Sequence, residues 1–252
     1  MLKKIKNVKS NMLNGLADSH GFQSHVVIVG LLLGFAIAHS GLAALRPRGE
    51  KLIGARLYRV LFALVSVPFA TVLIIYFINH RYDGLRLWNL QGLPGIQTAI
   101  WILSAISFIF LYPSTFNLLE VAAIQKPQLH LHETGIIRIT RHPQMVGQVI
   151  WCVAHALWLG TSFMVVTSVG LILHHLFAVW HGDRRLQVRY GESFETLRSR
   201  TSVIPFLAIA QGRQTLALKE FLRPAYVGIA IFVLGFWFAH PILIYATGNV
   251  GW

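Results

Sequence analysis

Carboxylates are scarce in this chain. Aspartate and glutamate number 9 among 252 residues, and all charged side chains together make up 12%. A soluble domain of this length normally carries about a quarter, so the shortage excludes an ordinary water-exposed surface. Cysteine is nearly missing as well. Cys152 stands alone, which excludes any internal disulfide, and a single thiol among aliphatic neighbours reads first as a small packing side chain. Internal repeats and low-complexity tracts are absent. So is any apolar run before Ser10 of the kind a secretory signal requires.

What remains is apolar and basic. Hydrophobic residues make up 55% of the chain, mean hydropathy is +0.58 and the net charge is +13. The basic residues flank apolar stretches, as they do beside an anionic leaflet, and this placement points away from nucleic acid as a partner. Six segments approach the roughly 20 residues needed to cross a bilayer. They run from His25 to Leu45, Ala55 to Asn79, Gln97 to Phe116, Pro143 to Gly160, Phe163 to His181, and Pro224 to Ala246. The expected fold is therefore all-α, a polytopic transmembrane helix bundle of about six spans. It forms a single integral membrane domain over 1–252, with a polar N-terminal segment at 1–24 and a basic segment at 182–223. Only Thr161 and Ser162 separate the fourth and fifth segments, so these must form a tight antiparallel hairpin.

Loop charge suggests an orientation. With the basic segment after the fifth span inside, fifteen Lys and Arg lie inside, against Lys3, Lys4, Lys6, Lys9, Arg81 and Arg86 outside. Both termini then face outward. The lysines near the N-terminus pull the other way, and a seventh buried or re-entrant segment, for which Val203 to Ala210 is a candidate, would alter the count.

Histidines are the informative residues. Twelve are present, and His39, His155 and His174 lie well inside the first, fourth and fifth segments. His175 follows on another helix face, and His240 sits in the last segment. Ionisable residues at such depth usually face the bundle interior and mark a site, although one neutral imidazole can simply bridge two helices. Three on three helices, with almost no carboxylate or thiolate near them, favour a metal centre. Imidazole donors alone suit haem iron better than a closed zinc site. Counting about 1.5 Å per residue from the outer face puts His39 roughly 20 Å deep, His174 roughly 17 Å and His155 roughly 7 Å. Similar depth favours His39 with His174 for a haem standing upright, whereas a flat haem accommodates His39 with His155.

Another constellation precedes the fourth span. Arg138, Thr140, Arg141, His142, Pro143 and Gln144 lead into it, and Asp183-Arg184 follows the fifth. This arrangement resembles the isoprenylcysteine carboxyl methyltransferase and phospholipid methyltransferase group, in which an Arg-His-Pro and an acidic pair hold S-adenosylmethionine. Here an arginine takes the second acidic place.

The wider pattern is Ala38-His39-Ser40-Gly41, Arg56-Leu57-Tyr58-Arg59, Thr140-Arg141-His142-Pro143-Gln144, Ala154-His155-Ala156-Leu157-Trp158-Leu159-Gly160 and His174-His175. It is similar to the NnrU-like membrane family from about Gly30 to Pro205. Within that family it is most similar to the branch that isomerises the 15-cis double bond of ζ-carotene. The resemblance implies an enzyme with haem b iron, active when reduced. It would take 9,15,9′-tri-cis-ζ-carotene to the 9,9′-di-cis isomer in carotenoid biosynthesis. His39 and His155 match the axial ligands it implies, and His174 is a further ligand that exchanges. It also implies ζ-carotene and membrane lipids as partners, with an unidentified electron donor. The membrane would be a cyanobacterial plasma or thylakoid membrane, or a plastid envelope. The sequence leaves two alternatives open: an S-adenosylmethionine-dependent membrane methyltransferase, and a non-catalytic haem-binding membrane protein. Oligomeric state is not legible.

Overall fold

In the computed structural model, residues 2–111, 133–222 and 224–248 are described, with side chains of the first helix described from Gly21 on. The described chain is all-helical, with no strand among the described residues. Four helices are long and apolar enough to cross a membrane. Their crossing parts are Gly21–Ile53 of α1 (Leu2–Ile53), α2 (Ala55–His80), α6 (Ser162–Tyr190) and Tyr226–Gly248 of α9 (Pro224–Gly248). Among the described residues, four of the six spans expected from hydropathy meet that length and composition. The expected third span appears as α3 (Ile96–Leu111), 16 residues long, and its last residues, 112–116, lie outside the described residues. The expected fourth is α5 (Pro143–Leu159), whose 17 residues extend about 26 Å at 1.5 Å per residue.

The candidate seventh segment forms no spanning helix. Val203 to Ala210 contains only the four-residue helix α8 (Leu207–Ala210), far too short to enter a bilayer. The stretch instead packs against the chain before α5. Arg141 N–H donates to the Ser202 carbonyl at 2.9 Å, Thr140 Oγ1 to the Val203 carbonyl at 2.8 Å, and Phe206 N–H to the Ile139 carbonyl at 2.9 Å. Val203 packs on the core cluster that includes Ile136 and Ile139 of α4 (Ile136–Ile139), and Ala208 is fully buried, while Ile204 and Phe206 stay exposed.

The hairpin of α5 and α6 forms as its two-residue connection requires. Gly160 takes the left-handed conformation at φ 63° and caps α5 through its N–H to the Ala156 carbonyl at 2.9 Å. Thr161 then caps α6, its Oγ1 accepting from Met164 N–H at 3.2 Å. Chain from the α2–α3 connection closes over this turn. Leu87 N–H donates to the Gly160 carbonyl at 2.7 Å and Trp88 Nε1 to the Ala156 carbonyl at 3.0 Å. A Cβ on Gly160 would run into the Trp88 carbonyl, so glycine is required here on two counts.

Helix packing then fixes what faces what. α1 lies against both α2 and α6, and α3 lies against α5. Gly147 lets α3 approach α5 closely enough for Ser107 Oγ to donate to the Gly147 carbonyl at 2.8 Å. Ile28, Leu32, Leu73, Tyr76, Phe77, Phe163 and Met164 build the core shared by α1, α2 and α6. α9 is hydrophobic all round and packs lightly on α2 and α3, as a lipid-facing helix would.

Candidate functional site

Where α1, α2 and α6 meet, two of the singled-out histidines come together. The rings of His39 and His174 lie 6.2 Å apart, centroid to centroid, at 69°. Phe35, one helical turn before His39, stacks on it at 5.1 Å and also touches His174 at 5.6 Å. Phe62 of α2 meets the His39 ring edge-on at 4.8 Å. Between them these rings hold His39 in place, and His39 Nδ1 is paired with Ser66 Oγ at 3.3 Å. His174 Nδ1 is buried and has no hydrogen-bond partner. His175 adjoins His174 at 5.8 Å.

A groove of about 440 Å³ runs beside this cluster between α1 and α6 and opens sideways out of the bundle. Ala36, Ser40, Gly41 and Ala44 of α1 leave it room, Phe177 forms an apolar wall, and His174 with His181 lines its α6 side.

His155 lies elsewhere. Its ring stacks on Trp151 at 3.9 Å, and Nδ1 pairs with the Trp151 carbonyl at 2.9 Å. Among the described residues no ring contact joins it to His39 or His174. His240 of α9 sits edge-on to Trp101 at 5.5 Å and contacts Phe236 at 5.5 Å. Cys152 is buried, its thiol 3.5 Å from Gln148 Nε2.

These donors suit haem. A metal-bound imidazole normally engages its second nitrogen with an outer partner, which leaves the other nitrogen's lone pair for the metal. His39 has Ser66 in that role and His155 has the Trp151 carbonyl. His174 keeps an orphaned buried nitrogen instead. His39 and His174, with rings 6.2 Å apart, are the two neighbouring imidazoles that would hold such a group. Among the described residues no three His, Cys, Asp or Glu side chains converge as a metal-holding group. Haem asks the protein for only one or two ligands.

The Arg-His-Pro constellation sits at the charged end of the bundle. Arg141 donates to Asp183 Oδ2 through Nε at 3.0 Å and Nη2 at 2.8 Å, and His142 Nε2 pairs with Asp183 Oδ1 at 2.7 Å. Both carboxylate oxygens are therefore occupied by the chain itself. Arg138 forks onto Glu220, with Nε to Oε2 and Nη2 to Oε1 both at 2.9 Å. That bond holds its guanidinium above its ordinary pKa.

The sequence profile of the NnrU protein family covers residues 27–248. The chain belongs to this family. Among its curated relatives, the 15-cis-zeta-carotene isomerase of Zea mays chloroplasts is 59% identical over 240 residues, 94% of this chain and 64% of that protein. The chloroplastic 15-cis-zeta-carotene isomerase of Arabidopsis thaliana is 59% identical over 230 residues, 90% of this chain and 63% of that protein. The chain thus spans a little under two thirds of the length of these relatives. No solved structure matches it.

Several residues around the histidine cluster escape a reading by hydropathy. Ser66 is the sole polar residue between Arg59 and Thr71 on α2, and that was its one available signal. Phe35 is legible as one turn from His39, while Phe62 is not, because nothing local says which helix α1 meets. At the far end of the bundle His25 Nε2 pairs with Ser162 Oγ at 3.1 Å, and His80 Nδ1 with Asp83 Oδ2 at 2.8 Å. These two histidines close the loop over the α5–α6 turn and do not join the central cluster.

Proposed function

We propose that this NnrU-family chain is a haem b-dependent integral membrane cis–trans isomerase that converts 9,15,9′-tri-cis-ζ-carotene to 9,9′-di-cis-ζ-carotene. The observation that carries this reading is the 59% identity, over 94% of the chain, to a protein named for that reaction. The histidine geometry supports the cofactor. On this reading His39 is a haem ligand anchored by Ser66, and His155 or His174 supplies the second. His174, whose Nδ1 has no protein partner, is the ligand expected to exchange on reduction by an electron donor.

Isomerisation transfers no atom and leaves no net change in oxidation state, so the scarcity of carboxylates costs the chemistry nothing. When bound, haem supplies an iron centre able to weaken the central double bond while it rotates. The protein's own tasks are to hold the imidazoles and to exclude water. Phe35 and Phe62 fix the His39 ring and keep its surroundings apolar. The groove at Gly41 and Phe177 gives a lipid-soluble polyene a sideways path from the hydrocarbon layer.

The test is an absorption spectrum of detergent-purified protein, oxidised and dithionite-reduced, with assay on tri-cis-ζ-carotene. It should be run on wild type and on His39→Ala, His155→Ala and His174→Ala. A reduced b-type α band is expected, abolished by His39→Ala and shifted by one of the other two, with isomerase activity lost alongside it. Absence of haem despite ample supply would overturn the reading. A methyltransferase would instead lose activity on depletion of S-adenosylmethionine, and a non-catalytic haem protein would leave ζ-carotene unchanged.

A further inference from the structure

The run Arg56-Leu57-Tyr58-Arg59 stands at the start of α2, just after Gly54, the single residue that links α2 to α1. Arg56 and Leu57 are exposed, whereas Tyr58 is buried and Arg59 is half-buried. Only the second half of the run therefore faces α1.

What it meets there is an interrupted stretch of helix. Pro47 lies inside α1 and has no N–H to donate to the Ala43 carbonyl one turn back, so the backbone ladder lacks a rung. Side chains bridge the gap. Arg46 Nε pairs with Glu50 Oε1 at 2.6 Å across the proline, and Arg59 Nε reaches the same oxygen at 4.0 Å. The Tyr58 hydroxyl donates to the Leu42 carbonyl, on one side of Pro47. Its ring lies against Gly49, on the other side. A Cβ at Gly49 would stand 2.0 Å from that ring, so the ring can rest there only over glycine.

These contacts continue the seam that carries His39. His39, Leu42, Arg46 and Gly49 follow one another at steps of three and four and share one face of α1. Opposite them, Tyr58, Phe62 and Ser66 stand four apart on one face of α2. Phe62 meets the His39 ring at 4.8 Å, and Ser66 Oγ pairs with His39 Nδ1 at 3.3 Å. A bond of that length is already at the outer limit, so a slight rotation of α1 on α2 would break it.

We propose that Tyr58 is a positioning residue for His39. Seated over Gly49 and bonded to the Leu42 carbonyl, it splints α1 across Pro47 and holds it at the rotation that brings His39 to Ser66. It acts on His39 through the helix and Ser66. The proposal rests on the reading of His39 as a haem ligand.

The experiment is haem titration of the full-length apoprotein in detergent, followed by absorption, with the haem reduction potential measured on the same samples. Tyr58→Phe keeps the ring and removes only the hydroxyl. It should bind haem about fivefold more weakly than wild type and shift the potential in the direction that Ser66→Ala shifts it. Because Tyr58 works through Ser66, the combined Tyr58→Phe and Ser66→Ala variant should match Ser66→Ala alone to within about twofold. Independent structural sites about 12 Å apart along a helix would add their losses instead. Gly49→Ala, which drives the Tyr58 ring from its seat, should reproduce the Tyr58→Phe loss. Arg56→Gln, at an exposed position of the same run, should bind as wild type. Unchanged haem binding in Tyr58→Phe would overturn the proposal, as would additive losses in the combined variant or an equal loss in Arg56→Gln. Each of these outcomes leaves the cofactor standing, whereas wild type that takes up no haem overturns the cofactor reading and the proposal together. Should Tyr58→Phe fail to fold, Gly49→Ala alone and combined with Ser66→Ala decides in its place.

Discussion

Single hydrogen bonds set the character of each histidine. His39 is clamped by two phenyl rings and by Ser66, His155 by Trp151 through both its carbonyl and its indole, and His174 is left with an unmet nitrogen. The proposed ligand roles therefore differ in robustness. Ser66→Ala removes only the outer partner of His39 and should weaken haem retention about 10- to 100-fold without abolishing it. Haem titration of apoprotein, compared with His39→Ala, measures this. Retention equal to wild type would detach Ser66 from the haem site. These roles were only partly legible beforehand. That three histidines sit deep in apolar segments follows from position along the chain. For His39 the partner nitrogen is decided by another helix, whereas His155 pairs with Trp151 one turn back on its own helix.

At the scale of elements, close approach between helices explains where glycine is needed and where it is spare. At Gly147 a Cβ would press on the Ser107 carbonyl and on Leu111, so Gly147→Val should force α3 and α5 apart. An overpacked contact of this kind costs about 1–3 kcal/mol and should lower the apparent Tm in detergent by several degrees. An unchanged Tm would mean the α3–α5 contact is looser than described. Gly41 is the opposite case. A side chain there meets nothing within 4 Å, yet it borders the groove beside His174. Gly41→Leu should therefore fold and keep its haem spectrum while losing most turnover on ζ-carotene. Gly30→Leu, equally unobstructed but outside the groove, should behave as wild type. Equal activity in the two variants would remove the groove from the substrate path. Helix ends were the better-read part of these elements. Gly160 and Thr161–Ser162 foretold a tight hairpin because capping is local, whereas Val203 to Ala210 forms only the four-residue helix α8 and is held by Val203 and Ala208.

For the whole molecule, the two ends of the bundle differ in kind. One carries Arg138, Arg141, Asp183 and α7 (Glu192–Arg200), and the other carries the loop that closes over the α5–α6 turn. Arg48 and Glu192 should share one side of the membrane, and Asn89 should lie on the other. All three are exposed and the native Cys152 is buried. Single cysteines placed at these positions can thus be labelled in sealed vesicles with an impermeant maleimide. Arg48→Cys and Glu192→Cys should react together, and Asn89→Cys only after permeabilisation or only in vesicles of opposite orientation. A pattern grouping Asn89 with Glu192 would refute this arrangement. The positive-charge count leads to the same expectation, because loop charge is readable without knowing any contact.

Composition, hydropathy and spacing were sufficient for an apolar all-helical chain, for its hairpin and for buried histidines that demand an explanation. Each of these rests on residues near one another along the chain, where helical periodicity and capping act. Tertiary structure alone decided that His39 meets His174 and Ser66. It also decided that Asp183 is taken up by Arg141 and His142. Such pairings join residues far apart in sequence, and they follow from which helices pack together. That choice is made by shape, by small residues at the crossings and by aromatic fit, none of which is written in the order of apolar and charged positions.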